Sequence, residues 1–251
     1  MFQVKTISPL IVCICICWGL TPEFACIKYS SALPIAAPAP ASSAVPSPSA
    51  GDSLSYLALG DSYTIGQSVA VSDRYPIQTV NLLRNAGVPC QDPAIIAVTG
   101  WTTADLLAAT PATAPARPYS VVTLLIGVNN QYQGRSQSEY RDQFTTLLQR
   151  AILLAGSRTT HVIVISIPDY SVTPFARGHN TAYIAAQIDS FNGINKAIAD
   201  SYKVAYVNVT AESRKAANDP SLIAGDGLHF SGKEYAIWAS MLAPLMQGMG
   251  R

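Results

Sequence analysis

A serine, a histidine and an aspartate stand in this chain where nucleophilic acyl chemistry would need them. Ser62 lies in Gly60-Asp61-Ser62-Tyr63, entered straight from the apolar run Tyr56-Leu57-Ala58-Leu59. His229 closes Asp226-Gly227-Leu228-His229, with Asp226 three residues before it on a glycine-containing turn. A serine hydroxyl is a poor nucleophile at neutral pH unless a base lies within reach and a third group fixes the tautomer of that base. The spacing lets the Asp226 carboxylate turn back to one ring nitrogen while the other faces the serine. Taken alone, Asp-x-x-His more often describes a capped turn beside a surface histidine, and Gly-Asp-Ser a turn that starts a helix.

The other candidates are weaker by position. The literal string Gly51-Asp52-Ser53-Leu54 precedes the first apolar run, so Ser53 belongs at the opposite edge from Ser62. His161 opens a later apolar run at that same wrong edge and reads as structural or solvated. His179, in Arg177-Gly178-His179-Asn180, reads as a surface loop on the correct side, able to line a rim. Acyl transfer also needs donors aimed at the oxygen that becomes negative. The Ser62 N–H is one. Gly100, in Val98-Thr99-Gly100-Trp101, offers a backbone N–H with no side chain in the way. Asn129, in Gly127-Val128-Asn129-Asn130, offers a side-chain amide.

These residues need a scaffold that delivers them to one place. Apolar, β-branched runs predict strands at Ser55–Leu59, Ala94–Val98, Ser120–Ile126, His161–Ile167 and Val204–Val209. Amphipathic patterns predict helices at Tyr75–Ala86, Thr103–Ala108, Ser138–Leu154, Thr181–Tyr202 and Gly232–Met246. Gly87 and Gly156 stand where helix-ending glycines do, and Ser231 with Glu234 has the spacing of a capping box. Such alternation predicts an α/β protein whose parallel sheet is covered on both faces. In open parallel sheets, ligands bind beyond the carboxyl ends of the strands. Ser62 follows the first strand, Gly100 the second, Asn129 the third, and Asp226 and His229 the fifth, so all emerge at one edge.

Together these blocks resemble the SGNH hydrolases, the GDSL esterase/lipase family. Ser62, Gly100, Asn129 and His229 match the four residues that name the family, in order, and the resemblance runs from about Ser55 to Ala243. Tyrosine stands at Tyr63 where leucine is commoner, asparagine at Asn130 where aspartate is usual, and phenylalanine at Phe230 in place of a frequent proline. The resemblance implies a flavodoxin-like three-layer α/β/α sandwich with a five-stranded parallel sheet in the order 2-1-3-4-5. It implies a carboxylic-ester hydrolase with Ser62 as nucleophile, His229 as base and Asp226 as its orienting acid. Ser62, Gly100 and Asn129 would form the oxyanion hole, with no metal or cofactor required.

A small acyl ester, of a carbohydrate among others, is the expected substrate. Lysophospholipids, thioesters and acyl transfer to a sugar are the enzymatic alternatives, and a carbohydrate-binding or adhesion module is the non-enzymatic one. The segment from Ile167 to Asn180, with Tyr170, Phe175 and Arg177, reads as a specificity rim, and Trp101 as either a pocket wall or a packing residue.

The 251 residues carry a net charge of +1 and only 12% charged side chains, which gives nucleic acid no basic patch to bind. After Lys5, the apolar stretch Ile7–Leu20 has the length of a secretory signal core rather than a membrane span. Residues 1–29 therefore read as a signal or anchor, and 30–52, rich in Ala, Pro and Ser, as a disordered tether. The hydrolase domain then occupies 53–251. The expected location is secreted, periplasmic or cell-surface, with Cys26 as a candidate lipidation site. Cys90 is the one cysteine of the domain and can build no disulfide or metal framework by itself.

Overall fold

The computed structural model of the protein describes residues 53–250; the expected signal, tether and Cys26 lie outside them. The strands are β1 (Tyr56–Gly60), β2 (Ala94–Ala97), β3 (Val121–Leu125), β4 (Val162–Ile165) and β5 (Ala205–Val207). The helices are α1 (Ser62–Ile65), α2 (Tyr75–Asn85), α3 (Thr103–Ala109), α4 (Val128–Tyr132), α5 (Gln137–Leu154), α6 (Thr181–Ser201), α7 (Thr210–Ser213) and α8 (Gly232–Gln247). All five strands are parallel, in the order β2-β1-β3-β4-β5. This is the expected three-layer α/β/α sandwich.

The burial pattern follows from that order. Strands β1, β3 and β4 are buried along their whole length, as strands covered on both faces must be, whereas the outer strands β2 and β5 are partly open. Helix α2 packs along α8, while α3, α5 and α6 pack side by side. Under α2 and α8 lies an aromatic cluster in which Trp238 meets Tyr63, Tyr75, Phe230 and Tyr235 at centroid distances of 4.9–6.4 Å. Each such pair adds roughly 0.5–1.5 kcal/mol beyond the area it buries. Tyr63 and Phe230, two of the three departures from the usual family residues, are thus core residues.

Most helix ends are where the sequence places them. Gly87 and Gly156 follow α2 and α5 with φ of 77° and 71°. Ser231 caps α8, its side chain accepting from the Glu234 N–H. Glu234 does not complete the expected box. Its side chain is fully buried and accepts from Trp238 Nε1 at 2.7 Å instead, because an indole N–H in the core needs an acceptor more than a helix start open to water does. A complete capping box stands at α3, between Thr102 and Asp105.

The short helices α1, α4 and α7 are absent from the sequence reading. Each is four or five residues long. That is too short to display a helical repeat of apolar residues.

Candidate active site

The sheet register sets the distances. Gly60 at the end of β1 pairs with Ala97 of β2 and with Leu125 of β3. Ser62 therefore starts α1 two residues past a row that Gly100 leaves three residues later and Asn129 four. Ser62, Gly100, Asn129 and His229 all line one cavity of about 220 Å³ at the carboxyl edge of the sheet. Ser53 lies before β1, as the position argument requires, and His161 is tied by Nδ1 to the Ser120 carbonyl oxygen at 2.7 Å. His179 stacks on Phe175 and lines a neighbouring cavity.

Asp226 and His229 are joined as the spacing suggested. His229 Nδ1 lies 2.6 Å from Asp226 Oδ2, and the backbone N–H groups of Leu228 and His229 donate to Oδ1 at 3.0 and 2.9 Å. A fourth donor was not foreseen: the Ser68 hydroxyl, 2.6 Å from Oδ2. Partial burial pushes the Asp226 carboxyl up, but the hydrogen bonds from Ser68, His229 and the two backbone groups outweigh it and hold the group well below the usual carboxylate range. An ionised acceptor at Nδ1 keeps the proton on that nitrogen. The other nitrogen, Nε2, is then the free base. Edge-on packing of Tyr63 against the imidazole, centroids 5.6 Å apart, fixes the plane of the ring.

The Ser62 hydroxyl makes no hydrogen bond to His229 in this structure, although both side chains face the same cavity and both are more than nine-tenths buried. Such contacts are often long before substrate binds.

The three residues expected to serve the oxyanion, Ser62, Gly100 and Asn129, line the same cavity. The N–H groups of Ser62 and Gly100 have no acceptor among the described residues. Gly100 sits in the turn closed by Trp101 N–H on the Val98 carbonyl oxygen, with φ of 86°. A β-carbon built there would meet no protein atom within 4 Å. The left-handed backbone, rather than crowding, calls for glycine. Asn129 Nδ2 donates one hydrogen to the Trp101 carbonyl oxygen at 3.0 Å, which orients the amide and leaves its second hydrogen for the cavity.

Trp101 thus packs and positions; it does not wall the pocket. Next to Asn129, the fully buried Asn130 accepts from the Thr103 N–H at 2.9 Å and donates to Thr103 Oγ1 at 2.7 Å. Asparagine can do both at once, and the Thr103 hydroxyl is left to donate to Gln143 at 2.5 Å.

The cavity wall is mostly apolar: Val128, Tyr132, Tyr170, Phe175 and Leu228. Tyr170 and Phe175 were expected at a rim. Arg177 was too, but its side chain lines a different cavity, against Pro220 and Ile223, because the turn after Phe175 carries it away from α1. Tyr132 was missed with the short helix α4 that carries it, one turn beyond Asn129.

Asp61, beside the serine, is fully buried. One oxygen caps α1 through the Tyr63 N–H at 3.0 Å; the other has no hydrogen-bond partner among the described residues. Burial pushes its carboxyl up to about 7, against the pull of its backbone hydrogen bonds.

Comparison with known proteins agrees with this architecture. The family model described as the GDSL-like Lipase/Acylhydrolase family matches residues 58–237. Among solved structures, TesA is 18% identical with a TM-score of 0.61, covering 78% of this chain and 99% of its own. Axe2, an acetylxylan esterase from Geobacillus stearothermophilus, is 19% identical with a TM-score of 0.60, covering 77% and 94%. A lipase/acylhydrolase from Enterococcus faecalis is 18% identical with a TM-score of 0.59, covering 78% and 96%. At these identities the likeness is one of fold. No curated protein sequence matches the chain.

Proposed function

The chain belongs to the GDSL-like lipase/acylhydrolase family and is an ester-bond hydrolase, and from that premise we propose that it cleaves small acyl esters by a Ser62–His229–Asp226 triad. The single observation that carries this reading is the four-fold hydrogen-bonded Asp226 carboxylate on Nδ1 of His229, whose ring lines the cavity that also holds Ser62.

In the first half-reaction, His229 Nε2 takes the Ser62 proton as Oγ bonds to the carbonyl carbon. The carbonyl oxygen, now negative, receives the N–H groups of Ser62 and Gly100 and the free Asn129 hydrogen. Collapse breaks the ester C–O bond, and the imidazolium gives its proton to the departing alkoxide. In the second half, water loses a proton to His229 and attacks the acyl-serine; Ser62 leaves as its alkoxide and recovers the proton, releasing the acid. Asp226 stabilises the imidazolium in each half without itself taking a proton. Ser68 acts behind it, as a positioning residue for the carboxylate.

The small apolar cavity supports a short acyl group, and the acetylxylan esterase among the fold neighbours supports a carbohydrate ester. Secretion or surface tethering through residues 1–52 is part of the same proposal and is read from their sequence alone.

The test is labelling by a fluorophosphonate and turnover of 4-nitrophenyl acetate. Ser62→Ala is expected to lose both, and Ser53→Ala to keep both. Wild-type protein that is folded yet neither labelled nor active would leave a binding module as the better reading.

A further inference from the structure

Resting on that esterase reading, we infer that the cleft beside the catalytic cavity is a carbohydrate subsite, which holds the alcohol part of the ester while the acyl group occupies the cavity at Ser62. The catalytic cavity, at about 220 Å³, lies below the range of roughly 300–1,000 Å³ usual for small-molecule sites. It has room for a short acyl group and the scissile bond, and the rest of any larger substrate must leave it. The neighbouring cleft holds about 540 Å³. Tyr132 and Tyr170 line both spaces. They form the ridge between the two, with ring centroids 6.3 Å apart and Phe175 behind them.

The two spaces differ in chemistry. The catalytic cavity is walled by apolar and aromatic groups, whereas the cleft presents Gln131, Arg135 and Gln187 above a floor of Ile184 and Phe191. Gln131 accepts from the Tyr170 hydroxyl at 3.0 Å, which turns its carbonyl inward and leaves its amide hydrogens for a ligand. Tyr183 and Gln187 are four residues apart on α6 and so share one face of it. Tyr183 is 59% exposed and Tyr132 60%, so large aromatic rings stand open to solvent on both sides of the cleft.

Planar amide and guanidinium groups suit the paired hydroxyls of a sugar, and an open aromatic ring suits its apolar face. Among the described residues, the basic side chains of the cleft are Arg135 and His179, outnumbered by its aromatic and amide groups. An aliphatic chain fits worse, because it would bury the heads of Gln131, Arg135 and Gln187 without partners.

Two measurements test this. The first uses the catalytically silent Ser62→Ala protein and unacetylated xylotriose, so that binding is read without turnover. Calorimetry is expected to show saturable binding that weakens roughly tenfold on adding Tyr183→Ala or Gln187→Ala, the size of one or two lost hydrogen bonds or a stacking contact. No binding, or binding indifferent to both changes, overturns the subsite.

The second compares kcat/KM for acetylated xylotriose and for 4-nitrophenyl acetate. Either change is expected to lower the ratio of the first to the second roughly tenfold, through KM. An unaltered ratio, or a larger fall for a lysophospholipid than for the sugar ester, overturns the proposal. Failure of the wild-type protein on both esters, with xylotriose still bound, would instead sink the esterase reading beneath it.

Discussion

At the scale of single residues, the proposed mechanism divides the site into groups that meet the reacting atoms and groups that aim them. Asn129 belongs to the first kind, since one amide hydrogen is committed to Trp101 and the other is free. Its replacement by alanine is expected to lower kcat by an amount worth roughly 3 kcal/mol with little change in KM, because the lost bond strengthens only as charge develops. Near-normal turnover in steady-state assays would remove Asn129 from that role. Ser68 belongs to the second kind. It adopts φ of 65°, uncommon for a residue with a side chain, and in doing so aims its hydroxyl at Asp226 Oδ2. Ser68→Ala is expected to cost roughly tenfold in kcat, one charge-assisted hydrogen bond's worth, at unchanged KM. Asp226→Asn is expected to hurt less than His229→Ala; the reverse order in kcat/KM would contradict the roles assigned to them.

Elements decide whether those residues arrive. The turn between α1 and α2 is a bracket. Gln67 accepts from Thr99 Oγ1 at 2.7 Å on the Gly100 side, and Ser68 holds Asp226 on the other. Helix α4 depends on Gly127, whose φ of 131° is closed to other residues and whose hydrogen points into a crowded place. A β-carbon there would fall 2.6 Å from Tyr140 Cε2 and 2.8 Å from Ile167 Cδ1. Tyr140 cannot yield freely, since its hydroxyl bonds the Ile126 carbonyl oxygen and Asn195. Gly127→Ala is therefore expected to destabilise the fold by about 2–4 kcal/mol in urea denaturation. It is also expected to lower kcat, because the start of α4 carries Asn129 with it. A variant of wild-type stability would mean that the strand end relaxes at no cost.

Over the molecule as a whole, the buried charge beside the nucleophile couples folding to pH. Asp61 has an ordinary value of 3.8 and is pushed up to about 7 when folded. Between those values the folded protein keeps a proton that the unfolded chain has lost. Its contribution to stability therefore falls as pH rises from about 4 to about 7 and is level above that. Asp61→Asn preserves the acceptor that caps α1 and removes the titration. The variant is expected to match the wild type near pH 4 and to exceed it by up to about 4 kcal/mol at pH 8, measured by denaturant unfolding at both. A difference that does not vary with pH would show that Asp61 ionises normally.

What was legible in the chain was whatever leaves a local mark. Strand and helix patterns, their alternation and the chemistry at strand ends were enough for a parallel sheet and for bringing Ser62, Gly100, Asn129, Asp226 and His229 to one edge, whereas the sheet order was implied by the resemblance to the SGNH hydrolases. That works because a parallel sheet converts sequence position into spatial position almost mechanically. The Ser68–Asp226 bond, the Tyr132–Tyr170 ridge and the inward turn of Glu234 left no such mark. Ser68 and Asp226 are 158 residues apart and meet only because two irregular turns are laid against each other. Helix α4 is too short for periodicity to announce it. Side-chain partners chosen by packing between distant loops belong to the tertiary structure alone, since no local preference of either residue carries information about the other.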